Sequence, residues 1–225
     1  MELQHIALTK ITGNGFSPVE DVVAVEAHFS VIVNGTPAFS FTCTPSNLEE
    51  MVTGALYTRG YLTDAAQMDC IQITETQILV TLHDGRESAK GREISKPRLD
   101  IQTIFQTVKS VFSDPDTLFN RTGCAHSCSL MRNGEIICTF EDIGRHNALD
   151  KVIGYVLREN IPRKECAIFT SGRISGDYMT KIIHAGFPIA VSRAAVTSEA
   201  VRLAKEHCVT LYGFVRGNSA NLYNP

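Results

Sequence analysis

The chain has 225 residues and a mass of 24.7 kDa, with 44% hydrophobic and 20% charged residues, enough for one large domain or two small ones with a real core. Its apolar runs, such as Val22 to Val25 and Ile189 to Val191, stop far short of the roughly 20 residues a membrane span needs. The first residues lack the basic start and apolar block of a secretory signal, so the cytosol is expected, with no membrane partner.

A net charge of −3 offers no basic field for nucleic acid, and seven cysteines in a chain of this size read as reduced thiols, metal ligands or catalytic groups and not as a disulfide framework. Residues 16–44 read as extended structure, with Asn34-Gly35 turning Phe29 to Val33 back into Ala38 to Cys43. Thr44-Pro45-Ser46 starts a helix that carries Leu48, Met51, Val52, Ala55 and Leu56 on one face and ends at Arg59-Gly60. Residues 70–83 alternate as further strand. From Asp84 to Pro97 the chain turns polar around Gly85 and Gly91, and this stretch is expected to be a mobile surface loop and the domain junction. A helix follows over Ile101 to Phe112. The organisation expected is a smaller mixed α+β domain, 1–96, and a larger domain, 97–225.

The second half is more regular. After Asn133-Gly134, the strand Glu135 to Phe140 leads through Glu141-Asp142-Ile143-Gly144-Arg145-His146 into a helix with Leu149, Val152, Ile153, Val156 and Leu157 on one face. The unit recurs. Strand Cys166 to Thr170 passes through Ser171-Gly172-Arg173 to a helix with Tyr178, Ile182 and Ile183. Strand Pro188 to Val191 passes through Ser192-Arg193 and a Thr197-Ser198 cap to a helix with Val201 and Ala204. A last strand, Val209 to Val215, ends at Arg216-Gly217. Alternation of this kind predicts an α/β fold with helices packed on a largely parallel sheet.

Residues 1–120 hold 8 Lys+Arg against 15 Asp+Glu, and residues 121–225 hold 13 against 9, so the halves carry −7 and +4. Loops that follow parallel strands share one edge of the sheet, where open α/β proteins bind ligands. Arg145, Arg173, Arg193 and Arg216 all lie in such loops, beside helix starts, and suit phosphate or carboxylate. The alternative is surface pairing with Glu141, Asp142 and Asp177. Ser171 and Gly172 would let backbone approach a phosphate closely. No phosphate-loop or dinucleotide fingerprint occurs, which disfavours an ordinary nucleotide hydrolase or dehydrogenase.

Cys124-Ala125-His126-Ser127-Cys128 precedes the Asn133-Gly134 turn. A two-residue hairpin there puts Cys128 opposite Thr139 and His126 opposite Glu141, next to the arginine edge. Either cysteine could be a thiolate favoured by those arginines. Cys128, on a strand, reads equally as core packing, and a zinc site is a further alternative. His146 is a candidate for ligand binding, proton transfer or a structural hydrogen bond, and Asn147 for a helix cap.

The run Glu141-Asp142-Ile143-Gly144-Arg145-His146-Asn147-Ala148-Leu149-Asp150-Lys151, with Thr170-Ser171-Gly172-Arg173 and Gly213-Phe214-Val215-Arg216-Gly217, closely resembles the FdhD family of formate dehydrogenase accessory sulfurtransferases. Thr122-Gly123 followed by His126 fits the same pattern, and Val33-Asn34-Gly35, Thr44-Pro45 and Leu48 to Gly60 extend the likeness over nearly the whole chain. The resemblance implies a cytidine-deaminase-like α/β domain with a smaller companion, as a homodimer. It implies transfer of sulfur from a cysteine desulfurase to bis-molybdopterin guanine dinucleotide, the cofactor of the formate dehydrogenase catalytic subunit. On this reading Cys124 and Cys128 carry sulfur, and His126, Asp142, Arg145, His146, Asn147, Lys151, Ser171, Gly172, Arg173, Arg193 and Arg216 bind the cofactor. Two departures stand out. The family's Cys-x-x-Cys has no counterpart in Asp84 to Pro97, which holds no cysteine, so the relay has either moved to Cys124 and Cys128 or been lost in favour of a non-covalent cofactor chaperone. The zinc-deaminase signature is also absent, so deamination is not expected.

Overall fold

The computed structural model describes residues 2–83 and 99–225. The expected junction loop, Asp84 to Pro97, and the boundary between residues 96 and 97 lie outside the described residues. The chain opens with a long antiparallel ribbon, β1 (Leu3–Thr12) and β2 (Gly15–Ala24). Both strands are exposed over most of their length, and Ile11 and Phe16 pair at the tip with 70% and 76% of their surface open. No core face patterns these strands, which is why β1 left no clear sign in the sequence.

β3 (Ala27–Val33) and β4 (Thr36–Cys43) form the expected hairpin, with Asn34 and Gly35 both at positive φ, 48° and 78°, as a primed turn demands. Helix α1 (Leu48–Thr58) follows. The further strand expected over 70–83 is two antiparallel strands, β5 (Met68–Ile73) and β6 (Gln77–Leu82), because Thr74 closes a tight turn by accepting the Gln77 amide at 3.0 Å. The four strands order as β4-β3-β6-β5. Phe29, Val31, Ile78 and Val80 are buried in one core with Met51, Val52 and Leu56 of α1.

The remaining elements are α2 (Ile101–Val111), α3 (Leu118–Thr122), β7 (His126–Arg132), β8 (Glu135–Asp142), α4 (Arg145–Arg158), β9 (Cys166–Thr170), α5 (Gly176–Ala185), β10 (Ile189–Ser192), α6 (Ser198–Glu206), β11 (Thr210–Arg216) and β12 (Ser219–Asn224). The sheet order is β12-β11-β10-β9-β7-β8. Parallel ladders join β9, β10 and β11, while β7 is antiparallel to both β9 and β8. Four strands, β8 to β11, therefore point the same way within a mixed sheet. The β7–β8 register differs from the hairpin count. A bulge between Leu130 and Met131 inserts one residue, so Cys128 faces Phe140 and His126 faces Asp142.

One buried apolar cluster runs from Phe29 and Val31 through Leu56, Leu149 and Val152 to Ile168, Tyr178 and Leu211. A second, on the opposite face of the large sheet, sets Ile104 and Val108 of α2 against Met131, Phe169, Val191 and Val215. α1 crosses α4 backbone to backbone. A Cβ on Gly54 would lie 2.0 Å from the Asp150 carbonyl oxygen, and one on Gly154 would lie 1.8 Å from that of Glu50. No described helix is long and apolar enough to cross a membrane.

Candidate functional site

Because β8, β9, β10 and β11 run together, the segments that leave them reach one edge of the sheet, bringing Arg145, Arg173, Arg193 and Arg216 to it. His126, the first residue of β7, sits at that edge too. A cleft of about 350 Å³ opens there. One wall is apolar and comes from the α2–α3 segment, with Val111, Phe112 and Phe119 beside Thr117 and Asn120. The other is polar and holds His126, Ser127, Ser171, Arg193 and Arg216.

Hydrogen bonds hold the turn after β9 rigid. The Ser171 amide donates to the Ser127 carbonyl at 3.0 Å, and the Ser127 amide donates to Ser171 Oγ at 2.9 Å. The Gly172 amide donates to Thr170 Oγ1 at 3.1 Å, and Ser192 Oγ donates to the Gly172 carbonyl at 2.8 Å. Gly172 has a second reason besides the one expected. A Cβ there would meet Arg145 Cβ at 3.1 Å and His126 Nδ1 at 3.4 Å, so the glycine admits these two side chains and not only a ligand. On β11 a bulge between Gly213 and Arg216 puts Phe214 at φ 52°, an unusual place for a bulky residue, with its amide donating to the Ala194 carbonyl at 2.9 Å. Past this bulge, Arg216 Nε donates to the Arg193 carbonyl at 3.1 Å.

None of the four arginines pairs with a described carboxylate. The acids offered as their partners are engaged elsewhere. Glu141 accepts the Leu118 and Phe119 amides at 2.7 and 3.4 Å and so holds the start of α3. Asp142 pairs with Lys151, and Asp177 lies 3.2 Å from His146 Nε2. Arg193 lies over the Phe112 ring at 5.5 Å, and the buried Nε of Arg145 finds no hydrogen-bond acceptor among the described residues. Burial, then Arg145 and Arg173, hold the His126 pKa below its ordinary value, with Asp142 pulling the other way.

Other site candidates lie in the interior. Lys151 is wholly buried, and its Nζ donates to Asp142 Oδ2 at 2.8 Å, Thr44 Oγ1 at 2.8 Å and the Glu141 carbonyl at 2.9 Å. All three ammonium donors are satisfied inside the protein. Asp142 also accepts the Gly144 amide at 2.9 Å, Asn147 Nδ2 at 2.9 Å and Thr44 Oγ1 at 2.9 Å. Asn147 is not the helix cap. Gly144 is, and Asn147 sits in the first turn of α4, tying it to the Thr42 carbonyl at 2.8 Å. His146 packs its ring edge on Tyr178, and its pKa is lowered to about 4, by burial first and then by Lys181.

The two cysteines part company. Cys128 is fully buried and accepts the Tyr178 hydroxyl at 3.7 Å, and burial pushes its thiol well above the ordinary range. That is the environment of a packing residue and not of a thiolate. Cys124 is exposed, follows the left-handed Gly123 that ends α3, and immediately precedes Ala125 of the cleft wall. Among the described residues no three His, Cys, Asp or Glu side chains gather closely enough to hold a metal ion. The apolar wall escaped the sequence reading. Val111 and Phe112 lie at the end of the expected helix, and Phe119 follows the Asp114-Pro115-Asp116 break in a helix too short to show a period.

A family model described as the FdhD/NarQ family matches residues 84–225. The chain is 31% identical to the sulfur carrier protein FdhD of Sulfolobus acidocaldarius, over 99% of this chain and 97% of that one. It is 30% identical to protein FdhD of Methanocaldococcus jannaschii, over 98% and 96%. A crystal structure of a protein described as a formate dehydrogenase accessory protein, from Desulfotalea psychrophila, superposes with a TM-score of 0.86 at 28% identity, covering 100% of this chain and 98% of the other.

Proposed function

The chain belongs to the FdhD/NarQ family, and from that premise we propose that it is a sulfur carrier for formate dehydrogenase maturation. In this reading it acts in the cytoplasm, takes sulfur from a cysteine desulfurase on Cys124, and delivers it to bis-molybdopterin guanine dinucleotide bound in the cleft as substrate. The observation that carries the reading is the set of four arginines without carboxylate partners among the described residues at one sheet edge, with an exposed cysteine, Cys124, next in sequence to Ala125 of the cleft wall. Pyrophosphate suits such guanidinium forks, and the Phe112 and Phe119 wall suits a flat heterocycle. Asp142, Asn147 and Lys151 serve the site by holding the Gly144-Arg145-His146 turn in place. The client is a formate dehydrogenase catalytic subunit. A second copy of the chain covers the open ribbon β1–β2, which as an isolated pair of strands is marginal by itself.

One observation favours a second reading, a cofactor chaperone without covalent chemistry. Cys124 has no second exposed thiol beside it in sequence, and Asp84 to Pro97 contains no cysteine. Mass spectrometry after incubation with a cysteine desulfurase and cysteine separates the two. A single-sulfur adduct on Cys124 supports the carrier, and an unmodified Cys124 in a protein that still binds GDP supports the chaperone. Calorimetry with GDP tests the arginine edge. Arg173→Ala and Arg145→Ala should each lose about 1.5–3 kcal/mol of binding. Unchanged affinity in both would remove the anion site.

A further inference from the structure

His126 sits where the polar wall of the cleft meets the turn after β9. Its ring is half-buried, and neither nitrogen has a hydrogen-bond partner among the described residues. Only the missing side chain of Gly172 separates it from the stem of Arg145. The described charged groups around it come from five elements. Arg145 comes from α4, Arg173 from the turn after β9, Arg193 from the end of β10 and Arg216 from β11. Among the described residues, the one carboxylate that acts on the ring is Asp142, its partner across the β7–β8 ladder, and that carboxylate is already bound to Lys151. The α2–α3 wall adds no charged group to the cleft lining.

With only the protein's own charges around it, the ring faces an excess of fixed positive charge, and together with burial this disfavours the imidazolium. A phosphate chain lying among the arginines offsets that field while leaving the ring where it is. We infer that His126 takes up a proton when a di- or polyphosphate enters the cleft, so that anion binding and protonation of this ring are one coupled step. The inference rests on the cleft being the anion site proposed above. Because the ring binds its proton more tightly in the complex, affinity rises as pH falls through the bound-state value and levels off below the free-state value. Acidic conditions favour capture, and alkaline conditions favour release.

The test is calorimetry with GDP in pairs of buffers of equal pH but different ionisation enthalpy, on the unmodified protein and on His126→Gln. Phosphate ionisation of GDP is common to both proteins, so the difference belongs to residue 126. The unmodified protein should take up on the order of half a proton more per GDP near neutral pH. Between about pH 8 and pH 6 its affinity should rise about threefold to tenfold more than that of the variant. In the unmutated protein, the NMR titration midpoint of the His126 ring should move upward when GDP is added, a reading that does not depend on the variant folding. Equal proton counts, or an unmoved midpoint while GDP binds, would overturn the coupling and leave the anion site standing. If GDP binds neither protein, the anion site falls and the coupling falls with it.

Discussion

Asp142 and Arg145 are three residues apart and sit in opposite regimes. On the buried side, Asp142, Lys151 and Thr44 complete one another's hydrogen bonds and join the end of β4 to β8 and α4. On the cleft side, the buried Nε of Arg145 has no described acceptor, and His126 has no described hydrogen-bond partner. Buried polar groups in native proteins are almost always paired, so the completed set maintains architecture, and the incomplete one is where the proposed anion site draws its support. A single sequence motif feeds both. Its charged residues therefore cannot all be read as ligand contacts.

The contrast is most severely tested by removing one cation from each side. Lys151→Ala leaves the Asp142 carboxylate buried without its counter-charge, which should cost about 3–5 kcal/mol and lower the melting temperature by roughly 6–20 °C. Arg145→Ala should stay within about 1 kcal/mol of the parent in the same thermal scan, while losing anion affinity. Equal destabilisation by the two would erase the distinction between them.

A second pair sharpens it with thiols. Residue-resolved alkylation of the native protein should modify Cys124 at least about a hundredfold faster than Cys128, which must wait for the sheet to open. Similar rates would mean that the sheet around β7 is far less stable than its packing indicates.

The smallest effect concerns His146, which borders both regions. Its pKa is lowered from 6.5 to about 4, so between those values the unfolded chain binds more protons than the native one and stability falls as pH drops. Asp177, at 3.2 Å, opposes the shift, but it is 70% exposed and its field is screened. The loss should be about 1–2 kcal/mol by denaturant titration at a series of pH values, and His146→Gln should flatten it. An unchanged curve in the variant would show that this ring does not set the acid limb.

Elements with one face on the core were legible in the sequence. The β3–β4 hairpin announces itself through alternation and Asn34-Gly35, α1 through its spacing, and β9 through a run that begins and ends where expected, at Cys166 and Thr170. β1 was not, because a strand mostly open to solvent carries no such pattern, and neither was β12, whose residues are exposed or only partly buried, without a fully buried face. The β7–β8 register was displaced by a bulge that no residue type signals. At the site, arginines that follow strands are visible as soon as the strands are. The enclosure of Lys151 is not, since a lysine in a polar motif looks solvated until the α4 packing around it is known.

The glycine crossing of α1 and α4 restricts how such a protein can be redesigned. Each helix leaves a notch where the other's carbonyl lodges, at Asp150 and Glu50, and both sides of the joint are main chain. A side chain can rotate away from an intruder, but a helical carbonyl cannot. Sliding α4 along its axis by even one residue would drive a Cβ into that oxygen, as would turning it to present another face. The height at which Arg145 and His146 emerge is thereby keyed to a helix nearly a hundred positions earlier in the chain. An engineer wishing to re-aim the arginines would have to work through the turns after β9 and β10, because α4 is indexed in place like a shaft on a pin.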